Sequence, residues 1–514
     1  MNNNKIHILR QAKKVLGATL ILAFIGEMIF FPTLPNFYGC LMAVISFAVF
    51  IYFLQEKYIT YYPFAFFMYL SMFMYRFLPL IATIVEGKPI TYGFERAYET
   101  FVYEIILFLI SSLAFYLACR PKEIFKKNGA IQSLLNELKF FDITPSIIWG
   151  MGVTGLVIRL YNFSNGDVEY GDVSGKFLLG LDYLMYSPLI LFFPSLANLK
   201  YNKNRIVWIY ATLIFIINIA SNSRRQIIIP IGILALLFIL YLVINNLKIT
   251  DFISPLKLSF LLIFTIIIIK FLSTISLAML YTRKIRADVD KLELFQETIN
   301  VVRNKELMTR LSDSKDQISN NLTKYQEGWT EEYVDNFMLA RYANMRITDE
   351  TLYYAEKRGY ANRQMQESFF NKFTGTFPSP ILNFFGIHIN KEDLEYSRGD
   401  ILYGSGFGNY RVTSHVGDGL ATFNYWYFPF QFIVNIIIFY LLNCFVFFSN
   451  KSVKYAPFAL MNVFTFLGMF RNAGGILIDL NYIIRGYIQG IITYFIIFII
   501  IKKTLLLFNK KLIK

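Results

Sequence analysis

The stretch NIASNSRRQIIIPIG, residues 218–232, sets two arginines side by side between two apolar runs. No acidic residue between Asp182 and Asp251 offsets them. A guanidinium fork pairs bidentately with phosphate oxygens. A helix beginning at Arg224 would add the partial positive charge of its own N-terminus. Arg224 and Arg225 are therefore candidates for holding a phosphate or pyrophosphate and for stabilising negative charge that grows on it during reaction. Arg159, Arg471 and Arg485 flank other apolar runs and are candidates for the same anion pocket. The plainer role for each arginine is to snorkel to lipid headgroups or to pair with an acid.

A second constellation is SHVGDGLATFNYW, residues 414–426. It offers His415 and Asp418 within one turn, with Gly417 and Gly419 expected to lend flexibility. Either side chain could accept a proton from a sugar hydroxyl. The plainer reading is that Asp418 caps the helix that follows and His415 bonds the turn. Tyr325, Trp329, Tyr333, Tyr342, Tyr353, Tyr354, Tyr360 and Trp426 could stack on sugar faces, although packing or interfacial anchoring explains most aromatic residues in such a chain. Asp288-Val289-Asp290 reads as solvated charge. GSGFG at 404–408 lacks the lysine and hydroxyl of a phosphate-binding loop. With no His/Cys cluster, neither a metal site nor a cofactor is expected. Arg76, Asp182 and Lys270 fall inside apolar runs, where they would pair with one another or line a groove.

The elements that must position these residues are membrane helices. The chain of 514 residues is 55% hydrophobic and 17% charged, with mean hydropathy +0.46, which excludes a soluble protein of this length. Apolar runs near spanning length fall at about 15–32, 36–54, 61–86, 99–119, 145–163, 178–198, 207–220, 226–247, 258–280, 425–449, 455–471 and 481–501. The first is expected to be an uncleaved helix, since no small-residue cleavage site follows it. The expected fold is thus an all-α polytopic membrane protein of about twelve spans. Residues 1–280 would hold spans 1–9, 281–424 an external domain, and 425–514 spans 10–12 with a basic tail.

Lysines and arginines cluster at the N-terminus, after the fourth and sixth runs and in the C-terminal tail. These segments fall on one side, the cytoplasm, and account for the net charge of +15 without nucleic acid. SNSRR and residues 281–424 then lie outside, so Arg224 and Arg225 break the charge bias. The external segment looks helical. Leu292, Phe295, Ile299 and Val302 recur at helical spacing, as do Val334, Met338, Met345 and Leu352. Thr330 is the expected start of the second helix and Gly359 its stop. The three cysteines lie in or beside apolar runs and imply no disulfides.

The SNSRRQ entry to a helix, the large late external segment and SHVGDGLATFNYWYF together resemble the Wzy family of bacterial O-antigen and capsule repeat-unit polymerases. That family's arginine-to-glycine spacing of eleven is absent, since Arg398 precedes Gly408 by ten. Arg224 is therefore carried over only as an external basic residue at a helix start. The resemblance implies a GT-C-like architecture in the bacterial cytoplasmic membrane with both termini inside. It implies an inverting transfer of a glycan from undecaprenyl pyrophosphate to a new lipid-linked unit, with no metal. Arg341, Tyr342, Arg398 and Trp426 become candidate glycan contacts. The implied partners are lipid-linked glycans, membrane lipids, and flippase and chain-length regulator proteins. An O-antigen ligase, differing only in acceptor, and a lipid-linked oligosaccharide flippase or transporter are the rival readings.

Overall fold

The computed structural model describes residues 7–120, 128–164, 178, 180–220, 224–251, 254, 274, 275, 277–279, 281, 282, 291–311, 325, 333, 334, 336, 340, 343–377, 379–387, 394, 396–406, 409–449, 452–467 and 475–512. Among the described residues, six helical stretches are long and apolar enough to cross a membrane: Leu34–Phe53, Pro63–Val85, Ala97–Ala118, Gln226–Ile244, His415–Asn443 and Gly475–Leu507. Large apolar side chains such as Leu22, Trp208, Ile209 and Ile492 are exposed on the long helices. In a polytopic membrane protein that face belongs to lipid.

The first half runs α1 (His7–Phe30), α2 (Leu34–Phe53), α3 (Glu56–Tyr61), α4 (Pro63–Val85), α5 (Ala97–Ala118), α6 (Ala130–Glu137), α7 (Pro145–Ser164), α8 (Asn204–Ala220) and α9 (Arg224–Ile244). Local chemistry sets several of the starts. Thr33 caps α2 by accepting from the Asn36 amide, and prolines open α4 and α7. Helices α2, α4 and α5 share an aromatic core. Phe50 stacks on Phe73 at 4.0 Å and Tyr69 on Phe115 at 4.7 Å. The Tyr69 hydroxyl lies 2.9 Å from that of Ser112, which satisfies both polar tips within the apolar layer.

The expected span at 178–198 is not an α-helix. Residues Asp182–Phe192 and Pro194–Ala197 form 3-10 helices. Pro188 and Pro194 lack amide donors. Backbone-to-backbone packing fixes the segment, because a Cβ on Gly155 of α7 would sit 2.1 Å from the Met185 amide nitrogen. The Tyr210 hydroxyl donates to the carbonyls of both Gly152 and Met185.

Between the two halves come α10 (Lys291–Arg303), which packs on α8, and a lobe that includes α11 (Arg346–Arg358), α12 (Arg363–Thr374), α13 (Ser379–Phe384) and α14 (Arg398–Tyr403). The expected stop at Gly359 is where α11 ends, with φ at +85°. The helix starts at Arg346, well after Thr330, which lies outside the described residues.

Then follow α15 (His415–Phe423), α16 (Tyr427–Asn443), the antiparallel hairpin β1 (Val446–Ser449) and β2 (Ser452–Tyr455), α17 (Pro457–Met461), α18 (Val463–Leu467), α19 (Gly475–Asn481), a π-helical stretch Tyr482–Gln489 and α20 (Gly490–Leu512). The expected helix at 455–471 is broken into short pieces by β2 and by Asn462 between α17 and α18. The hairpin is tied to the segment before α6, where Asn128 exchanges two hydrogen bonds with the Phe448 backbone.

Candidate functional site at the junction of the bundle and the lobe

The residues that lipid would exclude from a bundle collect where α4, α5, α15, α16 and α19 meet α11 and α14. Helix α15 enters this junction with Ser414 as N-cap, its hydroxyl accepting from the Gly417 amide. It therefore starts before Asp418, which sits in its first turn. Gly417 and Gly419 are helical, so they give close approach rather than freedom. A Cβ on Gly419 would lie 2.0 Å from the Tyr427 ring, and one on Gly417 2.5 Å from Thr351.

His415 and Asp418 share a turn of α15 but have separate partners. His415 Nε2 lies 3.1 Å from Asp479 Oδ2, and Nδ1 lies 2.7 Å from the Tyr427 hydroxyl. An ionised Asp479 can only accept. The neutral ring then carries its proton on Nε2, and Tyr427 donates to Nδ1. Asp479 Oδ2 also accepts from Gln431 Nε2 at 2.8 Å. The same Gln431 nitrogen donates to Asn435 Oδ1, and Asn435 donates to Ser111. A hydrogen-bonded ladder thus crosses α15, α19, α16 and α5.

The ladder lines a cavity of about 10 Å³, together with Met72, Arg76 and Leu107. That is room for about one water molecule. Gln431 Oε1 is buried without a hydrogen-bond partner. Buried polar atoms are normally paired, so this carbonyl is the group such a water would satisfy.

Arg76 closes the cavity from α4. Its Nη2 lies 2.6 Å from Glu104 Oε2, and its other nitrogens donate to the carbonyls of Glu104 and Met72. Thr348 of α11 donates to Glu104 Oε1, which joins the pair to the lobe. Arg76, Asp182 and Lys270 were expected to pair with one another or to line a groove; Arg76 pairs with Glu104 and lines this cavity. Asp182 instead pairs with Arg159, at 2.8 Å, because the 3-10 segment packs along α7. Lys270 lies outside the described residues.

Asp418 turns the other way. Arg398 Nε and Nη2 meet its two carboxylate oxygens at 2.8 and 2.9 Å, and Thr413 adds a hydrogen bond at 3.0 Å. Both members of the pair are buried. Farther along α11, Asp349 accepts from the Glu95 and Arg96 amides, from Thr100 and from Tyr325. It thereby serves as the cap of α5 from across the fold. Burial pushes its carboxyl up to about 6, against the opposing effect of those four bonds. Burial pushes neighbouring Glu350 up to about 8, and Arg346 and Arg411 offset this only partly.

Of the other candidate residues, Arg485 donates to the carbonyls of Thr376 and Gly375. Trp426 is exposed, at 78%. Helix α9 does begin at Arg224, with Arg225 next, but their side chains lie outside the described residues. Arg341, Tyr342, Trp329 and Arg471 lie outside them too. Asp479, Gln431, Asn435 and Glu104 were not singled out from the sequence. The available signal was polarity within apolar runs: Asp479 is the only acid between residues 475 and 501, and Gln431 and Asn435 stand one helical turn apart.

The chain matches no protein-family model, no curated protein and no solved structure. What is established is its class: a helical, multi-pass membrane protein with a polar lobe held to the bundle by buried charges.

Proposed function

We propose that the chain is a polymerase of lipid-linked glycan repeat units, similar to the Wzy family, with about twelve spans in a GT-C-like arrangement in a bacterial cytoplasmic membrane. The observation that carries this reading is the buried charged layer between bundle and lobe. Charges retained inside a membrane bundle mark substrate or ion pathways, and this layer joins the membrane helices to the lobe. The start of α9 at two arginines supports the same reading.

In the proposed reaction the acceptor hydroxyl oxygen bonds to the anomeric carbon of the donor. The bond from that carbon to the pyrophosphate breaks, and the electron pair leaves with the pyrophosphate. Arg224 and Arg225 stabilise that growing charge, with the N-terminus of α9 beside them. His415 takes the acceptor proton through Tyr427, whose hydroxyl gives its own proton to Nδ1 as it receives the acceptor's, while Asp479 holds Nε2. Asp418, engaged on both oxygens by Arg398, positions α15 and does not transfer protons. The test is purified protein in nanodiscs given a lipid-pyrophosphate-linked repeat unit, without nucleotide or metal. A ladder of chain lengths on a gel is expected, and its absence with an authenticated substrate contradicts the proposal.

A second reading has one observation of its own. The ladder from Ser111 to Tyr427 spans four helices and ends on a carboxylate–imidazole pair, an arrangement also suited to proton-coupled transport of lipid-linked glycans. Translocation of a fluorescent lipid-linked glycan, without lengthening, would favour it.

A further inference from the structure

The last long helical stretch, Gly475–Leu507, is the least covered of the six, with only 17% of its apolar window buried. Ile478, Ile488, Ile492 and Ile496 lie open along it. Lys502 and Lys503 mark one border of the apolar stretch. Arg485 lies about 25 Å away along the helix axis, at 1.5 Å per residue, close to the opposite border of a hydrocarbon layer about 30 Å thick.

Arg485 is where the lobe touches this helix. Its Nε donates to the Thr376 carbonyl at 2.7 Å and its Nη2 to the Gly375 carbonyl at 3.0 Å. Asn481, one turn earlier, also bonds Thr376. From there the chain leaves through α13, and Leu394 lies back against the starting point. Lys372 Nζ donates to the Leu394 carbonyl at 2.6 Å, and a Cβ on Gly375 would meet the Leu394 side chain at 2.9 Å. The excursion is closed at its base by three polar contacts on a membrane helix. Its tip is apolar: Phe384 is 85% exposed and Phe385 68%, and Ile387 follows. The tip turns at Gly386, where φ is +67°. The two rings stand edge to face, 5.3 Å apart, and no described residue covers them.

We propose that residues 379–387 are an interfacial anchor, whose Phe384 and Phe385 enter the lipid beside the Arg485 end of the last membrane helix. The occupant is the boundary between acyl chains and headgroups, because the excursion is bonded at its base to Arg485, at the end of the exposed isoleucine face of that helix. Arg485 sits at the depth where a cation also meets phosphate groups. The anchor fixes the depth of the lobe through α12, which carries both Lys372 and the Gly375 turn. This inference rests on the membrane reading alone and stands or falls independently of the polymerase proposal.

The three native cysteines are buried, so a cysteine at position 384 offers the accessible thiol. The Phe384→Cys protein, labelled with an environment-sensitive fluorophore, is placed in phosphatidylcholine vesicles. Shallow nitroxide-labelled lipid is compared with aqueous iodide as quencher. Phe385→Cys provides a second reporter if the first variant fails to fold. Ile492→Cys serves as the lipid-facing reference and Arg363→Cys, whose side chain is 90% exposed, as the aqueous one. Expected is a blue-shifted emission, lost to nitroxide lipid and unaffected by iodide. Quenching by iodide as at position 363 would overturn the anchor. Insensitivity to both quenchers would overturn it too, since protein or a second copy would then cover the tip.

Discussion

Arg398 and Asp418, twenty residues apart, meet as a two-pronged ion pair buried between α14 and α15. The third arginine nitrogen donates to the Met365 carbonyl of α12, so one guanidinium joins three helices of the lobe junction. Removing one partner of a buried pair strands the other charge and costs about 3–5 kcal/mol, whereas replacing both with apolar groups costs much less. Arg398→Met and Asp418→Leu should each lower the melting temperature in detergent sharply. The double variant should melt above either single one. Additive losses would show that the pair is not coupled.

Glu350 gives the lobe a pH dependence with a definite sign. Its carboxyl titrates near 4.5 when exposed and is pushed up to about 8 by burial. Below about 4.5 it is protonated in both states and its contribution is fully present. As pH rises toward 8, the unfolded chain releases the proton while the folded chain holds it, so stability falls. At about 1.4 kcal/mol per pKa unit the loss is a few kcal/mol. Unfolding followed between pH 5 and 8 should show this slope, and Glu350→Gln should flatten it. An unchanged slope in the variant would assign the dependence to another group.

Gly475 is tied to the same junction. Its φ is +71°, and a Cβ there would lie 2.6 Å from Asp418 Oδ1. Gly475→Ala must therefore bear the left-handed backbone, about 1–2 kcal/mol, and also push Asp418 off Arg398. Gly87 has a similar φ of +69° with nothing within 4 Å, so Gly87→Ala isolates the backbone effect. Thermal melts should place Gly475→Ala clearly below Gly87→Ala. Equal losses would mean that Asp418 has room to move.

Much of the helical framework was readable from hydropathy and end signals. The runs at 61–86 and 99–119 correspond to Pro63–Val85 and Ala97–Ala118, Gly359 ends α11, and Arg224 opens α9. Each of these depends on neighbours in sequence. What was not readable depends on residues far apart. Nothing in the run at 178–198 announces that Gly155 brings α7 onto its backbone and Gly152 onto the Pro188 ring, along a 3-10 path. The partners of the charged residues were equally hidden. Arg76 finds Glu104 across a helix interface, and His415 finds Asp479 sixty-four residues on. Periodicity ranks which face is apolar, not which polar residue on that face meets another.

The most direct measurement of the proposed chemistry is the rate of pyrophosphate-carrier release from a lipid-linked repeat unit, for wild type and Arg224→Ala in nanodiscs. Losing one preorganised donor to the leaving group costs about 2.7–4 kcal/mol. The expected result is a fall of about 10²–10³ in that rate with the melting temperature unchanged. Release at the wild-type rate in a folded Arg224→Ala protein would contradict the proposed chemistry.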